Sequence, residues 1–294
     1  MSDVSTELIL REAEPRDAAA VAAIVNTHSA SFGLPEDATA DQVAAWWTGE
    51  NVEAVVLEED GRVIGFGDVY VRADHSMVSA LGAQVERLLD AVEARAAAHL
   101  PLVRIDLHEA DPAAGALASR GYRPIRAGYD MEIDLDGELE PPQWPEGVSG
   151  RRPTPDDAET FWRVQEEAFA DHWGYQDRSF DEWSHLYGAV RPFDPDLWLL
   201  AEAGDEPVGV AICERGREGD EETGWVHVIA VRRGWRGRGL GLALLRWSFG
   251  ALSSVGMRRA ALSVDAENTT GAVRLYERGG MHVAHRFETW ERRL

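Results

Sequence analysis

The chain has 294 residues, 45% of them hydrophobic, and a net charge of −23 from 52 acidic and 29 basic residues, every basic one an Arg. A chain this acidic lacks the basic footprint that displaces phosphate counterions and is repelled by anionic bilayers, which excludes general nucleic-acid binding and docking on such membranes. No apolar run approaches the roughly 18 residues of a membrane span, the start MSDVSTELILREAE has no signal-peptide order, and the single cysteine, Cys213, excludes an internal disulfide framework and a cysteine-based zinc site. A cytoplasmic monomer or homodimer without metal, nucleic acid or membrane partner is expected.

In chain order, strands are expected over 7–12, 52–59, 62–71, 102–108 and 125–135, and helices over 15–29, 39–48, 77–99 and 111–120. The stretch Asp136–Gly147 holds three prolines, which lack an amide donor and fix φ, so a linker is expected over 138–147. Beyond it, strands are expected over 149–153, 197–203, 207–213, 225–231, 259–264 and 282–290. Helices are expected over 155–171, 179–189, 240–255 and 270–278. Ser179 with Glu182 forms an S-x-x-E capping pattern.

The two halves, 1–137 and 148–294, read as diverged copies of one unit. Arg11, Pro15, Asp17 and Ala18 match Arg151, Pro155, Asp157 and Ala158 at an offset of 140, Gly65 matches Gly209 at 144, and Gly121-Tyr122 matches Gly280-Met281 at 159. The first half is thus about 15 residues shorter before its last helix and is expected to have one strand fewer. The class is α/β (α+β), with mixed sheets flanked by helices.

Charge is uneven. Residues 1–140 carry a net −17 and residues 141–294 a net −6, yet Thr223–Val264 holds no acid and seven Arg. Within that window an apolar strand, Val226–Val231, runs into Arg232-Arg-Gly-Trp-Arg-Gly-Arg-Gly-Leu-Gly241 and a helix. A glycine-rich turn at a helix N-terminus points backbone N–H groups at an anion, and Arg236 and Arg238 can add charge-assisted bonds. The glycine spacing fits neither the dinucleotide fingerprint nor a Walker A loop. Taken alone, a solvated turn reads equally well.

Arg236-Gly-Arg-Gly-Leu-Gly241 resembles the R/Q-x-x-G-x-G/A signature of the GNAT superfamily of N-acetyltransferases. Asp265-Ala-Glu-Asn-Thr-Thr-Gly-Ala-Val-Arg-Leu-Tyr-Glu-Arg-Gly-Gly-Met281 resembles its second signature, with Met281 where Phe is usual. The resemblance covers 149–294 and, more faintly, 7–135. It implies two tandem GNAT folds with mostly antiparallel sheets, an arrangement also seen in mycothiol synthases. It further implies acetyl-CoA or another acyl-CoA as donor and direct attack by a small-molecule amine acceptor. The pyrophosphate would sit on amides of Arg236, Gly237, Arg238, Gly239, Leu240 and Gly241. The pantetheine would lie between strands 226–231 and 259–264, along Ile229, Ala230 and Val231. Asn268 would hold a cofactor amide or a water, or cap the helix at 270.

By the same resemblance Tyr276 protonates the departing thiolate; the alternative is an aromatic anchor for the last helix. His227 has the chemistry of a general base, or is a core histidine; strand alternation puts it on one face with Trp225, Ile229 and Val231. Many family members carry an acid near the start of this strand, where Trp225 stands here. Glu166, Asp171, His172 and Trp173, in a stretch resembling one common in such tandem proteins, are further acceptor-side candidates. Nine of eleven Trp lie beyond residue 140, and Trp162, Trp173, Trp183, Trp198 and Trp225 are expected near an aromatic acceptor cleft. The first half has no such loop, and Leu117 occupies the position of Tyr276, so it is expected to bind no CoA. A non-catalytic acyl-CoA-binding or sensor protein, a mycothiol synthase-like enzyme and a protein or peptide N-acetyltransferase remain competing readings.

Overall fold

The computed structural model describes residues 7–175, 177–187, 193–216, 220–268 and 270–294. Residues 188–189 of the expected helix 179–189, and Thr269 of the second motif, lie outside them. The elements are β1 (Leu8–Glu12), α1 (Ala18–Ala30), α2 (Ala40–Trp47), β2 (Val52–Glu59), β3 (Arg62–Val71), β4 (Ser76–Gly82), α3 (Val85–His99), β5 (Leu102–His108), α4 (Ala113–Ser119) and β6 (Arg123–Asp134). They continue with β7 (Val148–Arg151), α5 (Ala158–Phe169), α6 (Phe180–His185), β8 (Trp198–Ala203), β9 (Glu206–Glu214), β10 (Thr223–Val231), α7 (Leu240–Ser254), β11 (Arg259–Asp265), α8 (Ala272–Arg278) and β12 (His282–Arg293). Among the described residues, no helix is long and apolar enough to cross a membrane.

The chain forms two units, Met1–Gly128 with Arg286–Leu294, and Tyr129–His285. They cut across the halves read from the sequence. Tyr129–Asp134 of β6 belongs to the second unit; Arg286–Arg293 of β12 belongs to the first, where Phe287 to Arg293 pair antiparallel with His108 to Leu102 of β5. Each unit therefore takes its last strand from the other half of the sequence. Local alternation is the same whichever sheet a strand joins, so the pattern carries no trace of this exchange. No helix or strand forms over 135–147, as the prolines require.

Strand order in the first unit is β1-β2-β3-β4-β5-β12 and in the second β6-β11-β10-β9-β8-β7. The sheets are mixed and mostly antiparallel, with β4–β5 and β10–β11 running parallel. Strand β4 corrects the sequence reading, which began a helix at 77 and counted one strand fewer in the first half. Ser76, Val78 and Ala80 are buried while Met77, Ser79 and Leu81 are half-buried, a period of two. Met, Ala and Leu are strong helix formers and disguise that alternation. β4 pairs antiparallel with β3 from Val71↔Ser76 to Gly65↔Gly82, and parallel with β5 at Ser76↔Val103 and Met77↔Arg104.

In the first unit, Leu57, Leu88, Leu89, Val92, Val103 and Leu117 are fully buried between the sheet and helices α3 and α4. In the second, Phe161, Val164, Leu200, Ile212, Leu245 and Leu252 play that part. Each buried side chain of this size contributes about 1.5–3 kcal/mol, which fixes the sheets against the helices and so positions the strand ends.

Candidate active site

The site of the second unit begins with an irregularity in β10. Its register with β9 runs Trp225↔Glu214, Val226↔Cys213, then Val228↔Ile212 to Val231↔Gly209. His227 is the extra residue of a β-bulge. A bulge reverses the alternation beyond it. Val228 and Ala230 therefore join the cluster of Phe161 and Val164 on α5, whereas Ile229 and Val231 pack with Leu240 and Leu244 of α7. The expectation that His227 shares a face with Ile229 and Val231 is thus corrected. It shares one with Trp225, whose ring lies nearly parallel to it at 6.4 Å.

Below the bulge, β10 and β11 pair at Thr223↔Arg259, Gly224↔Ala260 and Trp225↔Ala261, and among the described residues the ladder stops there. The facing edges of Val226–Val231 and Leu262–Asp265 carry no pairing between them. Unpaired strand edges of this kind accept an extended chain through backbone hydrogen bonds. At the end of β10 a 3₁₀ turn over Arg233–Trp235 leads to Gly237 at φ +73° and Gly239 at φ +90°, the N-cap of α7. Only glycine enters that region without strain. No side chain caps α7, so its first-turn amides point outward with the positive end of the helix dipole. A Cβ at Gly234, Gly237 or Gly239 would meet nothing within 4 Å, so the turn is open on its outer side. These residues fit a phosphoryl anion. At Gly241, a Cβ would come 2.7 Å from Leu275 Cδ1 of α8, the end of a side chain that would have to shift.

The arginines of this turn are less available than the acid-free window implies. Arg232 Nε donates to Glu167 Oε2 at 2.7 Å, and Arg233 bonds Asp171. Arg236 donates to Ala168 O at 2.7 Å, to Val231 O at 3.3 Å and to Asp171 Oδ2 at 3.3 Å. Arg236 is thus a strut between the turn and the end of α5. Arg238 stacks over the Trp235 ring at 4.7 Å and, among the described residues, has no carboxylate partner. It is the turn's available cation.

Tyr276 stands on α8, half-buried against the core, and burial pushes its phenol up to about 12. Asn268 does not cap α8, which starts at Ala272 behind Gly271 as N-cap. Its Oδ1 accepts from the Thr270 N–H at 2.7 Å and closes a turn ahead of the helix.

On the side of β10 that carries Trp225, His227 Nε2 lies 2.5 Å from Glu214 Oε2. The His227 side chain is 11% exposed and Glu214 33%, so the pair is reachable but largely shielded. Glu214 went unnoticed in the sequence because it ends a strand whose pattern gives no reason to single it out. Glu166 accepts from the Tyr175 hydroxyl and from the Arg178 N–H at 3.1 Å, so it anchors the loop after α5. Asp171 is committed to Arg233 and Arg236. His172 packs against Phe169 at 4.7 Å, and burial, with Arg236, pushes its imidazole below the usual range. Trp173 is 47% exposed on the outside of that loop. Trp183 and Trp198 are core residues, the former donating to Gln165 Oε1 at 2.7 Å, so the aromatic wall expected of five tryptophans is narrower. No group of His, Cys, Asp or Glu suited to a metal occurs among the described residues.

This arrangement has close counterparts. The model of the acetyltransferase (GNAT) family matches residues 158–281. A crystal structure of a GCN5-related N-acetyltransferase from Sphaerobacter thermophilus superposes with a TM-score of 0.79 at 32% identity, covering 97% of this chain and 95% of that one. The chain therefore belongs to the GCN5-related N-acetyltransferases. A tandem GNAT protein from the clavulanic acid biosynthesis pathway shares the fold over 97% of this chain and 98% of its own, with a TM-score of 0.72 at 16% identity. Among curated proteins, the mycothiol acetyltransferase of Geodermatophilus obscurus is 33% identical over 193 residues, 60% of this chain and 59% of the relative. That of Corynebacterium jeikeium is 27% identical over 270 residues, 81% of this chain and 73% of the relative. The match thus spans about three fifths of the Geodermatophilus relative's length.

Proposed function

We propose that the second unit transfers an acetyl group from acetyl-CoA to a primary amine of a small molecule, within a ternary complex and at one site per chain. The observation that carries this reading is the parallel ladder that stops at Trp225↔Ala261 and opens toward the uncapped end of α7. The α7 amides with Gly237 and Gly239 would hold the pyrophosphate, with Arg238 adding charge. The open edge of β10 beyond the bulge would hold the pantetheine. When bound, acetyl-CoA supplies the thioester whose acyl carbon the amine attacks.

His227 takes a proton from the acceptor's ammonium and so frees the nitrogen lone pair. Tyr276 faces the opposite task. A phenol at about 12 lies well above a thiol's ~8.5, so full proton transfer to a thiolate runs uphill by roughly 5 kcal/mol. The Tyr276 hydroxyl therefore acts mainly by donating a hydrogen bond to charge developing on sulfur. Trp225 offers an apolar wall beside His227. The names of the curated relatives make a mycothiol-related amine the acceptor to test first.

We assign no donor site to the first unit. The link from β4 to α3 is Ala83-Gln84 alone, Leu117 is fully buried where Tyr276 stands in the second unit, and Phe32 stacks on His108 at the end of β5 at 4.6 Å. The test is release of free thiol from acetyl-CoA with a panel of amines. Amine-dependent release that is lost in Tyr276→Phe is the expected result. Tight acetyl-CoA binding with no release for any amine would favour a binding protein instead.

A further inference from the structure

The register of β9 and β10 sets Glu214 directly opposite Trp225. Residues directly opposite in an antiparallel pair project to the same side of the sheet. The bulge brings the His227 ring to that side as well, stacked beside Trp225 and 2.5 Å from the Glu214 carboxylate.

We propose that Glu214 is the positioning residue of the acetyl transfer: it orients the His227 ring and stabilises the imidazolium formed when His227 takes the acceptor's proton. The proposal rests on the reading of His227 as the base. A carboxylate bonded to one ring nitrogen fixes the tautomer and makes the ring more basic. One proton passes from the ammonium to His227, Glu214 stays ionised, and the imidazolium returns its proton to water after turnover. The second N–H proton of the amine leaves as the N–C bond forms and the C–S bond breaks, and it ends on the departing sulfur beside Tyr276.

Other titratable groups share that side of the sheet. Ser263 and Asp265 of β11 alternate with Ala261, which pairs with Trp225, and the Ser263 hydroxyl donates to Asp130 of β6 at 2.6 Å. His172 follows α5 and is coupled electrostatically to Asp265 and Asp171. Glu214 lies at bonding distance from the His227 ring, 2.5 Å from Nε2, which makes its removal a direct probe of the pair.

The test compares wild type, Glu214→Gln, Glu214→Asp and His227→Gln by the pH profile of kcat/KM. In parallel, nitrogen NMR reads the tautomer and titration of His227 in the acetyl-CoA-free protein. Glu214→Gln is expected to lower kcat about 10- to 30-fold and to move the acidic limb down by about one pH unit. The KM for acetyl-CoA should stay within twofold, the NMR titration of His227 should move by the same amount, and Glu214→Asp should restore part of kcat. An acidic limb and a His227 titration both unchanged in Glu214→Gln, with the limb lost in His227→Gln, would overturn the role of Glu214 and leave His227 as base. A limb that survives His227→Gln would overturn the base assignment and the Glu214 proposal together.

Discussion

The two units share a frame down to single hydrogen bonds and differ where chemistry would occur. Arg11 bridges Asp17 and Glu58 at 2.7 Å each, and Arg151 bridges Asp157 and Glu202 at 2.8 Å each. The Tyr122 N–H donates to Leu117 O at 3.0 Å, and the Met281 N–H to Tyr276 O at 3.0 Å. Thr289 donates to Asp106 at 2.6 Å and Ser263 to Asp130 at 2.6 Å, the same strand-to-strand link with hydroxyl and acid exchanged. In both, the parallel ladder stops after two or three pairs. What differs is the connection that follows. It is two residues in the first unit, with Gly82 so tight that a Cβ would come 2.5 Å from Ile64 O, and an open turn from Arg232 to Gly239 in the second. A splayed pair of strands is therefore a property of the frame, whereas the proposed anion binding belongs to the turn grafted onto it.

That comparison can be broken at its most active point first. Tyr276→Phe is expected to lower kcat about 100-fold or more at every pH from 6 to 9, with the thermal midpoint within a few degrees of wild type. Because the phenol stays protonated up to about 12, Tyr276 produces no basic limb in that range. Steady-state profiles check both statements.

The turn comes next. Arg236→Gln removes a strut that bonds Ala168, Val231 and Asp171, and should raise the KM for acetyl-CoA about 10- to 30-fold. Arg238→Gln removes a cation without a carboxylate partner, should raise it about 3- to 10-fold, and should weaken the salt dependence of binding. Initial-rate kinetics at two ionic strengths distinguish them.

The shared frame gives the smallest effect. Arg151 holds the Asp157 carboxyl at about 2, below its ordinary 3.8. A depressed folded-state value means stability that is present above about pH 4 and lost as pH falls toward 2. Arg151 is 43% exposed, so screening leaves about 1 kcal/mol, and Arg151→Met should cost that at pH 7 and progressively less as pH falls from 4 toward 2 in denaturant titrations. Arg11→Met, whose partner Asp17 is likewise held low, should behave the same way.

Much of this was legible in the sequence because it is written in consecutive residues. The glycine turn at 234–241, the L-Y-E context of Tyr276 and the repeated Arg, Pro and Asp all lie within short windows. Four features were hidden for physical reasons. Strand β4 is built from residues that favour helices, so propensity masks its alternation. The exchange of β6 and β12 depends on which sheet a strand joins, which no local pattern encodes. The bulge at His227 leaves the alternating string Trp-Val-His-Val-Ile-Ala-Val looking regular while reversing its second half. The acids that neutralise Arg232, Arg233 and Arg236 come from the end of α5, more than 60 residues away in sequence. An acid-free window in a sequence therefore does not guarantee a positive patch in space.

The central claim is that the frame occurs twice and the donor site once. Titration calorimetry of the whole chain with acetyl-CoA tests it most directly. One site per chain, weakened by Arg236→Gln, is the predicted result. Two equivalent sites per chain would contradict the account, because the first unit would then hold a donor without the turn on which the reading depends.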